Sequence, residues 1–236
     1  MKIYQALVGI LALGLAGALR AETFEGRVTM KLSSSNAAKD APQSITYALK
    51  EGFIRVEMAT PRGQMVSIMD LRNHQILVLM PQQRMYMVQP LPQAAAPAAG
   101  QGNGPLGSDV QVTSEKATIL GYTCTKLLAT HGGSTSEVWV TDQLGSFLGL
   151  SPGAGGPGRR SAPPQAWESA LKGRSWFPMR VVTKDGAKAT FQLEVTHVEK
   201  ASIPDSEFAP PDGWQKFDIA SMMGGAFPGA RPADNN

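Results

Sequence analysis

In FEGRVTMKL, residues 24–32, Phe24, Val28, Met30 and Leu32 fall on one side while Glu25, Arg27, Thr29 and Lys31 fall on the other. Alternation with period two marks a strand with one dry face and one wet face. It recurs along most of the chain, and so limits the fold more than any other feature. SITYALK turns Ile45, Tyr47 and Leu49 inward, and FIRVEMA sets Ile54, Val56 and Met58 against Arg55 and Glu57. QMVSIMDL, HQILVLMP and RMYMVQP follow, parted only by Arg72-Asn73 and by Pro81-Gln82-Gln83. Links this short join antiparallel neighbours, because a parallel return needs a crossover of about a dozen residues or more. The first half therefore predicts a meander of about six strands.

The pattern resumes in DVQVTSEKATIL, YTCTKLLATH and TSEVWVTD, and closes with a hairpin across Lys184-Asp185-Gly186. In its second arm Ala189, Phe191, Leu193 and Val195 alternate with Lys188, Thr190, Gln192 and Glu194. Between these runs, QLGSFLGL reads as one or two helical turns, and PPQAWESALKG as a short helix with proline at its start. Residues 91–107 and 151–163 are rich in Ala, Pro and Gly and predict mobile insertions. The expected fold is mainly β (α+β). It is a curved antiparallel sheet of about eleven strands forming an unclosed half-barrel, with one or two short helices as a lid. Residues 22–218 make one domain in this reading, and 219–236 a disordered tail.

The first 21 residues read as a secretory signal peptide: Lys2, an apolar run to Leu19, then small residues before Glu22. Cleavage fits after Ala21 or Ala18. The apolar run is shorter than the roughly 20 residues a membrane span needs, and no later segment rivals it. The expected location is the periplasm or the exterior. No cysteine follows the run, which excludes a lipid anchor there. The formal charge of +3 falls to +1 once Lys2 and Arg20 leave with the leader. That balance excludes a nucleic-acid binder, and the interspersed charges exclude a polybasic membrane patch.

Catalysis finds no support in the residues. His74, His131 and His197 lie far apart, and no nucleophile signature such as Gly-x-Ser-x-Gly occurs. The chain is expected to be no enzyme and to need no cofactor. Its eleven methionines admit two readings. Met85 with Met87 and Met222 with Met223 would suit Cu(I) as soft ligands, together with Cys124 or a histidine, which is a distant third function. Methionine also fills irregular apolar space and lines adaptable surfaces, as Met30, Met58, Met65, Met69 and Met179 would on strands. Trp139, Phe147, Trp167, Trp176 and Phe191 flank the helical insert, where a lid or mouth would lie. The candidate ligand set is Met30, Leu49, Val56, Met58, Ile68, Trp139, Phe147, Trp167, Trp176, Phe191 and Leu193. Ligand binding predicts a pocket of roughly 300 Å³ or more among these side chains, whereas core packing predicts none. The only cysteine, Cys124, lies on a strand beside Tyr122 and Lys126. It is expected to be a buried thiol, in preference to an intermolecular disulfide or a reactive group. Arg159-Arg160 reads as a solvated loop, with an anionic headgroup contact as its other use.

The stretch GRSWFPMRVVTKDGAKATFQLEVTHVEKASIPDSEFAPPDGWQKFD resembles the C-terminal end of family 4412 of the bacterial domains of unknown function. The matching pieces are Phe177-Pro178-Met179-Arg180, then Ile203-Pro204-Asp205-Ser206 with Phe208, then Pro211, Gly213 and Trp214. SIMDLRNHQILVLMPQQRMYMV, ILGYTCTKLLAT and EVWVTDQLG are similar in style, while the insertions at 91–107 and 151–163 depart from it. The resemblance implies no activity. It implies kinship with periplasmic lipoprotein-carrier-like half-barrels, whose concave face holds acyl chains. The expected function is thus an exported, non-catalytic protein that binds a lipid or acyl group in the bacterial envelope. The alternative is an envelope interaction module with a fully packed core.

Overall fold

In a computed structural model, residues 24–35, 43–60, 63–91, 109–150 and 165–217 are described. The strands are β1 (Gly26–Ser34), β2 (Ser44–Lys50), β3 (Phe53–Thr60), β4 (Gly63–Asp70), β5 (Gln75–Met80) and β6 (Met85–Pro90) in the first half. The second half holds β7 (Asp109–Ile119), β8 (Tyr122–His131), β9 (Ser134–Thr141), β10 (Phe177–Asp185), β11 (Lys188–Lys200) and β12 (Gln215–Lys216). A single α-helix among the described residues, α1 (Ala166–Leu171), separates β9 from β10.

All strands share one sheet in the order β12-β6-β5-β4-β3-β2-β1-β11-β10-β9-β8-β7. Two meanders are thus joined side by side through β1 and β11, with antiparallel pairing throughout except where β12 lies parallel to β6. The sheet does not close, since β6 with β12 ends one side and β7 the other. The turn from β7 to β8 is a two-residue loop with positive φ at both Leu120 (50°) and Gly121 (85°). That matches the hand of turn that follows strand twist in hairpins.

The sheet is curved. Met87 on β6 and Leu127 on β8, at opposite ends of the strand order, enter one continuous buried cluster together with Trp167 and Leu171 of α1. A flat sheet would keep them apart. Eleven strands were expected, and β1–β11 account for them; β12 is a further two-residue strand after the Pro211–Trp214 turn. QLGSFLGL is not helical. Gly145 (φ 86°) and Gly149 (φ 111°) take conformations that a right-handed helix does not allow, and the loop instead turns Leu144 and Phe147 into the core. The expected signal peptide (1–21), the expected insertions at 91–107 (apart from Leu91) and 151–163 with Arg159-Arg160, and the expected tail (219–236) with Met222-Met223 lie outside the described residues.

Candidate functional site

The inward side chains of the alternating strands make the floor of the site. Met30, Leu49, Val56, Met58 and Leu193 lie there at 0–5% exposure. The insert between β9 and β10 covers this floor with Leu144, Phe147, Trp167 and Leu171, each at most 3% exposed. α1 has only six residues and no side-chain cap, so its helical state depends on the tertiary packing of Trp167, Ala170 and Leu171.

An aromatic chain ties lid to floor. Phe147 stacks on Trp167 (centroids 5.6 Å) and tilts against Tyr47 of β2 (5.7 Å). Trp167 stacks on Phe191 of β11 (6.0 Å), and Phe177 of β10 meets both Tyr47 and Phe147 edge-on. Among the described residues, Tyr47 OH donates to Gly149 O at 2.7 Å and Thr123 N of β8 donates to Gln143 Oε1 at 3.2 Å, while Phe147 N donates to Trp176 O at 3.1 Å within the insert. Burial and the nearby Glu168 carboxylate push the Tyr47 hydroxyl pKa well above its usual value, so it stays a donor.

Glu168 sits on α1 beside Gly149. Burial pushes its carboxyl up to about 7, against the downward pull of the Leu150 backbone, the Lys172 charge and the Gln165 backbone. A carboxyl raised in the folded state stabilises fully below its unfolded pKa, near 4.5, and that stabilisation is lost as pH rises through about 7. A rise of this size corresponds to roughly 3 kcal/mol. Thermal melts between pH 5 and 8 should therefore show stability falling with pH in the wild type and much less in Glu168→Gln.

Of the sequence candidates, Met30, Leu49, Val56, Met58, Phe147, Trp167, Phe191 and Leu193 meet in this one cluster. Trp139 and Trp176 pack at its margin, half-buried, under Lys126 (5.9 Å) and Arg174 (4.6 Å). Ile68 does not belong. It lies on the opposite face with Ala48, Val66, Leu77 and Leu79, under Ile203 and Phe208. β4 is buried on both faces from Val66 to Asp70, so alternation could not assign its sides. Tyr47, Phe177, Leu144 and Leu171 were missed as site residues. The inward phase of SITYALK was the signal for Tyr47.

Met30, Val56 and Trp167 are 0% exposed, so among the described residues these side chains are closely packed. A shallow cavity of about 230 Å³ lies elsewhere, lined by Ser33–Ser35 and Ala189–Gln192. Among the described residues no group of three or more His, Cys, Asp or Glu is placed to hold a metal. Met87 is buried at 8% and accepts a hydrogen bond from Gln89 Nε2 at 3.4 Å. Cys124 is a free thiol at 0% exposure, donating to Tyr122 O at 3.4 Å. Burial pushes its pKa up, so iodoacetamide should label it only in denaturant, as read by mass spectrometry.

No helix among the described residues is long and apolar enough to cross a membrane. No curated protein matches the chain. Among solved structures it is similar to an uncharacterized conserved protein from Thermus thermophilus, at 12% identity and TM-score 0.46, over 84% of this chain and 91% of that one. PNGF-II matches at 14% and 0.44, over 86% of this chain and 33% of its own. A LolA superfamily protein from Nitrosomonas europaea matches at 13% and 0.30, over 80% and 91% respectively. The family model described as a domain of unknown function, DUF4412, matches residues 24–214. The chain belongs to that family.

Proposed function

We propose that this protein is an exported, non-catalytic carrier of a long-chain acyl ligand in the bacterial envelope. The observation that carries the reading is how the apolar face of the sheet is covered. The sheet supplies a broad apolar floor, and the described residues of the insert between β9 and β10 cover it chiefly through aromatic contacts. A ligand takes the place of that cover.

Magnitudes set the ligand class. Withdrawing Leu144, Phe147, Trp167 and Leu171 costs about 6–12 kcal/mol, taking about 1.5–3 kcal/mol for each side chain. An acyl chain recovers about 0.8 kcal/mol per methylene, so about 8–15 methylenes offset the opening. Short acids and small apolar molecules fall below that range. The second reading, a packed interaction module, draws on the zero exposure of Met30, Val56 and Trp167.

Native mass spectrometry of the processed protein, before and after incubation with a long-chain acyl lipid, separates the two. Mass increments of one lipid support the carrier. A bare polypeptide mass in both spectra would sink it and leave the module.

A further inference from the structure

One row of the concave floor crosses the sheet as Val28, Tyr47, Val56, Ser67, Val78 and Met87, each directly opposite the next on adjacent strands. Five of the six belong to the apolar cluster. Ser67 is the exception. It is 0% exposed, and its Oγ has no hydrogen-bond partner.

Among the described residues, the three other polar side chains buried nearly as deeply as Ser67 are bonded. Asp70 accepts from Asn73 and Gln75, Ser136 shares a hydrogen bond with Thr183, and Thr141 accepts from Gln143 N. A second unpartnered hydroxyl, Ser169 Oγ, is carried on α1 and leaves with the lid. Ser67 stays on the floor. A buried hydroxyl without a partner costs stability that alanine would not. Nothing in the folding of β4 calls for it, since Val56 and Val78 flank it as plain hydrocarbon.

We propose that Ser67 is the polar contact of the acyl groove, its hydroxyl donating to the carbonyl oxygen of a long-chain acyl ester. This rests on the carrier reading. Tyr47 OH, bonded to Gly149 O while the insert is seated, is freed as the insert leaves. It becomes a second donor two strands away, about 10 Å along the row.

The same row selects against other heads. No lysine or arginine is among the buried polar residues of the described chain, so a carboxylate drawn into the groove would lack a counter-charge. An alkane enters without penalty but leaves Ser67 unsatisfied. An ester supplies the acceptor and brings no charge.

The test is equilibrium partition of radiolabelled methyl myristate, tetradecane and myristate between the processed protein and cyclodextrin at neutral pH. The ester is expected to bind about 5–10 times more tightly than the alkane, the range of one net hydrogen bond, and myristate more weakly than the ester. In Ser67→Ala the ester-to-alkane ratio falls to about 1, while the thermal midpoint of the ligand-free protein does not fall. Ser67→Cys, nearly the same shape with a weaker donor, gives an intermediate ratio. A ratio unchanged in Ser67→Ala overturns the subsite and leaves the carrier standing. Absence of binding by all three ligands overturns the carrier reading and the subsite with it.

Discussion

Trp167→Ala should lower the stability of the ligand-free protein by about 3–5 kcal/mol, the cost of truncating a fully buried tryptophan, and should raise affinity for a long-chain acyl ligand at least about tenfold. The two effects share one cause. Trp167 joins Phe147 of the insert to Phe191 of the sheet, so its contacts exist only while the lid is seated. If the groove opens by lifting the lid, apparent affinity is the intrinsic affinity scaled by the open fraction. A substitution that weakens the seated state raises that fraction. A protein whose core is only a core behaves differently: it loses stability and gains no affinity. Denaturant melts together with the cyclodextrin partition measure both quantities on one sample. Destabilisation without tighter binding would reject lid displacement as the way in.

Much of the sheet was legible because period-two alternation is local. Val28, Met30, Tyr47 and Val56 occupy the face their phase predicts, and loops of two to four residues left β2 to β6 only one way to pair. Legibility ended where burial has two sides. Ile68 and Val66 looked no different from Val56, yet a segment more than 130 residues later covers them. The same holds for Leu144 and Phe147, whose loop was read as helix because apolar residues three apart fit either state. Glu168 and Ser67 were invisible for another reason. A carboxyl and a hydroxyl become unusual only through what surrounds them, and that is a property of tertiary packing. The join of the two meanders through β1 and β11 was equally out of reach, because pairing between strands 154 or more positions apart leaves no local mark.

Phe208→Ala should cost about 3–5 kcal/mol and detach the C-terminal segment from the sheet. Residues 203–214 run across the convex face, where Ile203 and Phe208 bury Ala48, Val66, Ile68, Leu77 and Leu79. Phe208 stacks on Phe53 at 5.3 Å, and Arg72 caps that ring from 4.9 Å. Polar ties set the register: Arg27 grips both oxygens of Glu207 at 2.7 Å, Arg55 Nη1 donates to Glu207 O, Lys50 Nζ donates to Ile203 O, and Ile203 N donates to Glu25. The Arg27–Glu207 pair is about one-third exposed on each side, so Arg27→Ala should cost no more than about 1 kcal/mol beside the loss of the ring. Hydrogen exchange makes the distinction local. In Phe208→Ala the amides of Ile203, Trp214 and Phe217 should lose protection, since their acceptors Glu25, Pro211 and Tyr86 bond them only while the segment is seated. Amides between β1 and β11 should keep theirs. Release of β12 also bares the edge of β6, and an unpaired strand edge promotes association, so the variant should aggregate at concentrations the wild type tolerates. If Arg27→Ala instead proved as damaging as Phe208→Ala, the Arg27–Glu207 pair would act as an electrostatic latch, and the apolar clasp argued from Phe208 would be wrong.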